Sequence, residues 1–237
     1  MEKVNSHFDN IASTYDEQLP EYIREFLLQK KTALTLQALK NHGIGNGKGI
    51  YLGCGTGWYL KKVAEAGYEM SGIDYTQGLV EEANRNIRGV KANILVGNIL
   101  KLDFPAESFD FAYCINSLHH LRNDSELITG LSQVHRILKK GGLLIIHELN
   151  TFLLFRFFLN YIFPLTNKLD KFGGENWVSP KMLKKQKLFS LNEIHYYTFF
   201  PHIIPGSMFK QFIKVNDTCE KIFFRKFGVH YMAVLKK

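Results

Sequence analysis

The run Gly53-Cys54-Gly55-Thr56-Gly57 constrains this 237-residue chain more than any other feature. It follows a short apolar stretch, residues 49–52, and opens a helical pattern, residues 58–66. Glycines permit backbone angles that other residues resist, and they let a ligand touch the main chain. The helix beyond begins with N–H groups that have no partner within it. Asp74 closes the next apolar stretch, 17 residues after Gly57. An acid at that place accepts hydrogen bonds from ribose hydroxyls. Turn and acid together imply a pocket for a nucleoside-bearing cofactor.

Apolar runs and helical patterns alternate from residue 49 onward. Strands are expected at 49–52, 68–73, 92–96, 109–115 and 143–148, and helices at 58–66, 79–87 and 124–139. This alternation predicts right-handed crossovers and a parallel sheet covered by helices on both faces. Two further strands are expected at 191–200 and 229–235. The fold class is therefore α/β: Rossmann-like, doubly wound, with a mostly parallel seven-stranded sheet and an added helical cap. Residues 1–40 read as an N-terminal helical lid, with helices at 6–19 and 20–40. Residues 41–150 read as the cofactor-binding core. Residues 151–237 read as a cap or substrate region plus the last two strands of the same domain. Within it, 151–165 is a dense apolar run, 166–180 a loop, and 181–189 a helix. The stretch 201–215 mixes Pro, Gly and apolar residues and receives no assignment.

The dinucleotide fingerprint is G-x-G-x-x-G, but this turn is G-x-G-x-G, with Trp58 where the third glycine would stand. The spacing resembles motif I of class I S-adenosylmethionine-dependent methyltransferases. GIDYT (72–76) is similar to their motif II. GNILKLDFPAESFDFAYCINSLHHL (97–121) resembles the stretch spanning the adenine contact, the fourth strand and the substrate edge. HRILKKGGLLII (135–146) resembles their helix–turn–strand signature, and FDNIASTYD (8–16) the lid of small-molecule members. The first half is also similar to ubiquinone- and menaquinone-type methyltransferases.

The resemblance implies S-adenosyl-L-methionine as cofactor. It implies that Gly53, Cys54, Gly55, Thr56 and Gly57 surround the methionine portion and ribose, and that Asp74 binds the ribose. Asn98 and Ile99 would lie at the adenine edge, with Tyr75 packing on the ring. Asn116 would lie beside the methionine end, and Tyr15 would close over the site. Each residue also has a plain structural reading. Asp74 and Asn98 could be caps, and Tyr75, Ile99 and Tyr15 could be packing residues. Tyr51 stands where family members usually carry an acid, Asn98 where Asp is common, and Lys140 where Pro is frequent.

Methyl transfer from a sulfonium needs chiefly alignment, worth about 7–11 kcal/mol in the best cases. A base is required only where the acceptor must lose a proton. The candidates are His120, His119 and Glu148, at the C-terminal ends of the fourth and fifth strands, where open α/β sheets bind ligands. An unperturbed His titrates near about 6.5, suited to base work. His147 reads as structural. No metal site is expected: the three cysteines are scattered and form no CxxC pair, which also suits a reducing cytoplasm. With no apolar run of membrane-spanning length and no secretory signal, a cytoplasmic location is expected.

The charge is uneven. Residues 1–150 hold 16 Lys+Arg against 17 Asp+Glu, whereas 151–237 hold 14 against 5 together with 14 of the 19 Phe. A basic, aromatic segment suits a small-molecule or lipid-like acceptor, and peripheral contact with a membrane surface through 151–226. The alternatives are a catalytically weak or inactive binding or scaffold protein, suggested by Tyr51, and an RNA methyltransferase. Nucleic acid is not the expected partner, because INSLHH stands where an NPPY-like tetrapeptide would follow the fourth strand. A nicotinamide oxidoreductase is disfavoured by the glycine spacing.

Overall fold

A computed structural model describes residues 8–150, 176–199, 205–221 and 226–237. The expected apolar run at 151–165 and most of the loop that follows lie outside the described residues. Seven strands form one sheet in the order β3-β2-β1-β4-β5-β7-β6. They are β1 (Lys48–Leu52), β2 (Glu69–Asp74), β3 (Ala92–Val96), β4 (Phe109–Ile115), β5 (Leu138–Leu149), β6 (Ser190–Tyr197) and β7 (His230–Lys236). β7 runs antiparallel between β5 and β6, and the other pairings are parallel. The expected Rossmann-like, mostly parallel architecture is the one observed.

Central strands of a parallel sheet are buried on both faces, so they read as near-continuous apolar runs. Alternate side chains then serve opposite layers. Ile50, Leu52, Ala112, Cys114 and Ile146 pack on one face with Leu131, Val134 and Ile137 of α4 (Asp124–Ile137). Tyr51, Phe111, Tyr113 and Ile145 pack on the other. There they meet α1 (Glu21–Asn41) through Leu39, α2 (Trp58–Glu65) through Leu60, and α3 (Gln77–Asn86) through Val80.

Most expected bounds are met within a residue or two. Helix α4 begins where the Asn123 side chain accepts from the Glu126 N–H at 3.0 Å. It ends at Ile137, short of the expected Lys139, because Leu138 already pairs with Phe109 and lengthens β5. The N-terminal segment is a helical turn followed by a 3-10 helix, Ala12–Gln18, in place of one continuous helix. Helix α5 (Pro180–Lys185) is shorter than expected. Helix α6 (Gly206–Lys221) begins within the unassigned stretch and runs past its end. It docks on α1: Phe209 packs edge-on against Tyr22 and Phe26, with ring centroids 4.9 and 5.6 Å away, and Lys30 pairs with Glu220 at 2.7 Å.

The order of strands reverses direction between β1 and β4, which opens a crevice at their C-terminal ends. Buried Asn150 holds the far side of that rim. Its amide donates to the carbonyls of Lys226 and Gly228 at 2.9 and 2.8 Å. Asn150→Ala leaves two carbonyls unpaired and should cost about 1–3 kcal/mol, read as a lower midpoint in urea unfolding.

Candidate active site

The chain turns sharply after β1. Gly53, Gly55 and Gly57 all take positive φ, at 69°, 51° and 82°, which other residues adopt only with strain. The N–H groups of Gly53 and Cys54 donate to the Ile73 carbonyl at 2.8 and 2.9 Å, folding the turn over the end of β2. The Gly55 N–H donates to one oxygen of Asp74 at 2.8 Å, and the Thr76 N–H to the other at 3.0 Å. A side chain at Gly55 would project beside Tyr15, its Cβ 3.8 Å from the ring. Burial raises the pKa of the Asp74 carboxyl, against the downward pull of the Gly55, Thr76 and Tyr75 N–H groups.

Around the turn lies a cavity of about 470 Å³. Of the residues expected from sequence, Tyr15, Gly53, Cys54, Gly55, Thr56, Asp74, Tyr75, Asn98, Ile99, Asn116 and His120 line it. Gly57, His119 and Glu148 do not. Gly57 is the N-cap of α2 and packs against Ala83 and Ile87. The Asn98 side-chain oxygen accepts the Leu100 N–H at 2.8 Å, so the residue does cap a turn, while its amide nitrogen stays open for another contact. Asn116 has φ 50° and donates its N–H to the His147 carbonyl at 2.8 Å. Its side-chain oxygen is buried without a hydrogen-bond partner. Such an orphan acceptor is costly unless something else supplies a donor. Tyr51 fills the place of the missing acid. It stacks on Tyr113 at 4.4 Å and meets Tyr59 edge-on at 6.4 Å.

The N-terminal segment is tied down by a residue that sequence reasoning passed over. Asp16 accepts from Thr56 Oγ1 at 2.9 Å and from Trp58 Nε1 at 2.8 Å, so its carboxylate bridges the lid to both sides of Gly57. The Arg24 guanidinium donates to the Asp16 carbonyl at 2.6 Å, and Asp9 accepts from the Gly78 N–H at 3.0 Å. Asp16 ends the FDNIASTYD motif, which was the signal available. Phe8 then lies edge-on to His120, with centroids 5.5 Å apart.

The candidate bases and the structural His147 occupy three different settings. His120 is partly exposed, and desolvation by the residues packed around it, followed by the charge of His119, lowers its pKa to about 4. It is neutral across the physiological range. Glu148 is buried beneath the cavity floor. One oxygen accepts the Leu118 N–H at 2.8 Å and the other pairs with His119 Nδ1 at 2.7 Å. Burial would raise its pKa, but the charge and hydrogen bond of His119 and the Leu118 N–H hold it below 4.5. His147 is fully buried. The Thr35 hydroxyl donates to the Lys31 carbonyl at 2.9 Å, so it accepts from His147 Nε2 at 3.0 Å, and Nδ1 accepts from the Tyr197 hydroxyl at 2.8 Å. His147 thus joins α1, β5 and β6. Its pKa lies well below 6.5, through burial and then nearby Lys31 and His195. No group of His, Cys, Asp and Glu among the described residues could hold a metal ion.

A glycine turn after β1, an acid at the end of β2 and this strand order, together with the similarities that follow, support a class I S-adenosylmethionine-dependent methyltransferase. Residues 50–146 match the family described as "Methyltransferase domain". The chain is 26% identical over 179 residues to a demethylmenaquinone methyltransferase of Lysinibacillus sphaericus, covering 71% of this chain and 74% of that protein. It is 28% identical over 182 residues to the enzyme of that name from Geobacillus stearothermophilus, with the same coverage. Among solved structures, a possible histamine N-methyltransferase from Thermotoga maritima shares the fold, with TM-score 0.63, 20% identity, and coverage of 97% and 98%. The N-methyltransferase NodS of Bradyrhizobium japonicum, solved with S-adenosyl-L-homocysteine, shares it at TM-score 0.60, 14% identity, and coverage of 88% and 86%.

Glu148 carries a pH dependence. A carboxyl held below its ordinary value contributes stability that is full above 4.5 and is lost as pH falls through the lowered value. Glu148→Gln should be less stable than wild type at neutral pH and should lose less on acidification below 4.5, measured by thermal melts across pH.

Proposed function

We propose that the chain moves a methyl group from S-adenosyl-L-methionine by in-line transfer to a small, hydrophobic or lipid-linked acceptor. The observation that carries this reading is the convergence of the 53–57 turn and the Asp74 carboxylate on one cavity. The residues present suit the cofactor. Asp74 has lone pairs left for ribose hydroxyls. The orphan oxygen of Asn116 suits the donor of an ammonium group, a contact that compensates for Tyr51 in place of an acid. Asn98, Ile99 and Tyr75 form the edge suited to adenine.

When bound, the cofactor supplies an activated methyl group on a sulfonium. The protein aligns and excludes water. Tyr15, held by the Asp16 bridge, closes one side. Leu19, Leu27, Leu28 and Leu121 give the remainder of the cavity an apolar wall, suited to a greasy acceptor. His120 stands on that wall as a neutral imidazole able to accept a proton or a hydrogen bond. Glu148 and His119 act from behind it, fixing the loop after β4. Residues 1–40 serve as lid, 41–150 as cofactor core, and 151–237 as cap and last strands. The basic, Phe-rich part at 151–226 supports acceptor capture at a membrane surface. The demethylmenaquinone methyltransferases to which the chain is similar also favour a lipid-like acceptor. No helix among the described residues is long and apolar enough to cross a membrane.

Calorimetric titration with S-adenosyl-L-methionine tests the cofactor part. Wild type should release heat with one-to-one stoichiometry. Asp74→Ala should bind at least about tenfold more weakly, about 1.4 kcal/mol. Asp74→Ala binding as well as wild type would contradict the assignment. His120→Ala should lower turnover while leaving cofactor affinity nearly unchanged.

A further inference from the structure

Among the described residues, Lys31 is the one lysine buried from solvent. It lies on α1, is 1% exposed, and lines the cavity together with Leu27 and Leu28, one turn earlier on the same helix face. Its carbonyl accepts from Thr35, but among the described residues its Nζ has no hydrogen bond and no ion pair. The neighbouring carboxylate, Glu148, is already used by Leu118 and His119. A buried amine without a counter-ion is expensive as a cation. Burial brings its pKa down to about 7, and Glu148 limits the fall.

The position of Lys31 assigns it to the acceptor. Its titratable neighbours, His147 and Glu148, belong to β5, while Asp74 ends β2. In the order β2-β1-β4-β5 these strands stand three spacings apart, about 14 Å. Lys31 therefore sits away from the nucleoside end, on the wall it shares with Leu27 and Leu28. His147 is locked neutral between Thr35 and Tyr197, with His195 behind it, and so offers Lys31 neither charge nor proton.

We propose that Lys31 takes the proton of an acidic hydroxyl on the acceptor, a phenol or enol on an otherwise apolar body, and then holds the resulting oxyanion. This rests on the methyltransferase reading and names the acceptor's chemical class. The acceptor O–H bond breaks, the proton joins the free pair on Nζ, and the electron pair of the O–H bond stays on the oxygen or its conjugated carbon. That pair forms the new bond to the methyl group as the methyl–sulfur bond breaks and its electron pair stays on the sulfur, and Nζ then returns its proton to solvent. An ion pair formed in an apolar, water-poor cavity is stronger than in water, so the lysine favours the anion that the reaction needs.

The probe is 4-nitrophenol, whose anion is yellow, with 4-nitroanisole as the control that has no proton to lose. Both are titrated into protein saturated with S-adenosyl-L-homocysteine, at a pH where the free phenol is mostly protonated. Wild type should bind the phenol as the yellow anion. Lys31→Met should bind it colourless, with the bound phenol's pKa higher by about one unit or more, a tenfold change in ionised fraction. Lys31→Arg should restore the colour but not turnover. Binding of 4-nitroanisole should be the same in wild type and Lys31→Met. Calorimetry with S-adenosyl-L-homocysteine separates the two layers of the argument. If wild type fails to bind it, the cofactor reading falls. If wild type binds it and either excludes nitrophenol or holds it uncharged, the lysine proposal alone is overturned. An equally yellow complex in Lys31→Met also overturns it. So does a tenfold loss of homocysteine-nucleoside affinity in that variant, which would give Lys31 to the cofactor's carboxylate. Should Lys31→Met not fold, the colour of the wild-type complex still decides.

Discussion

The hydrogen bond from the Gly55 N–H to Asp74 organises this molecule. It joins the end of β1 to the end of β2 across a turn that three glycines in left-handed geometry make possible. The same carboxylate holds the Thr76 N–H at the start of α3. One partly buried carboxylate thus fixes two strand ends and a helix entrance around a single space. The backbone N–H groups it accepts from favour its anion, against the burial that raises its pKa. It is then ready for further donors.

Behind the cavity runs a buried polar layer that an ordinary apolar core would not need. Glu148 is paired with His119, and His147 bridges Thr35 and Tyr197. Each of these groups is satisfied, so the layer is affordable and rigid. It fixes the loop after β4, where His120 faces the cavity, and it fixes α1, which carries Lys31. Asp16 performs the same office for the lid, at the opposite rim. The site is therefore framed by charge-assisted contacts and lined between them by leucines.

Much of this was legible in the residues. The parallel strands showed themselves because double burial makes continuous apolar runs, and β3 and β4 have the bounds read from sequence. The glycine turn and Asp74 were legible because few other side chains tolerate those angles or close a strand with a charge there. The convergence of Tyr15, Asn98 and Asn116 on one cavity followed from the resemblance of the motifs. Other parts depended on tertiary contact. Helix α6 has an amphipathic pattern of its own, but it opens on Pro205-Gly206 directly after an apolar run, which hides its start, and its docking on the aromatic face of α1 is a tertiary contact. The extra length of β5 comes from Leu138 pairing with Phe109. The retreat of Glu148 behind the wall could not be read from its place at a strand end. Lys31 did leave a trace: it interrupts the apolar stripe of Ile23, Leu27, Leu28, Ala38 and Leu39 on α1. A lysine in such a stripe usually extends its charge to water, and only the fold shows this one enclosed.

The central claim is spatial, and a crystal structure with S-adenosyl-L-homocysteine measures it most directly. The account predicts ribose hydroxyls within hydrogen-bonding distance of Asp74, and the amino group beside the side-chain oxygen of Asn116. A ligand bound elsewhere, or a ribose turned away from Asp74 with the Asn116 oxygen still unpaired, would contradict it.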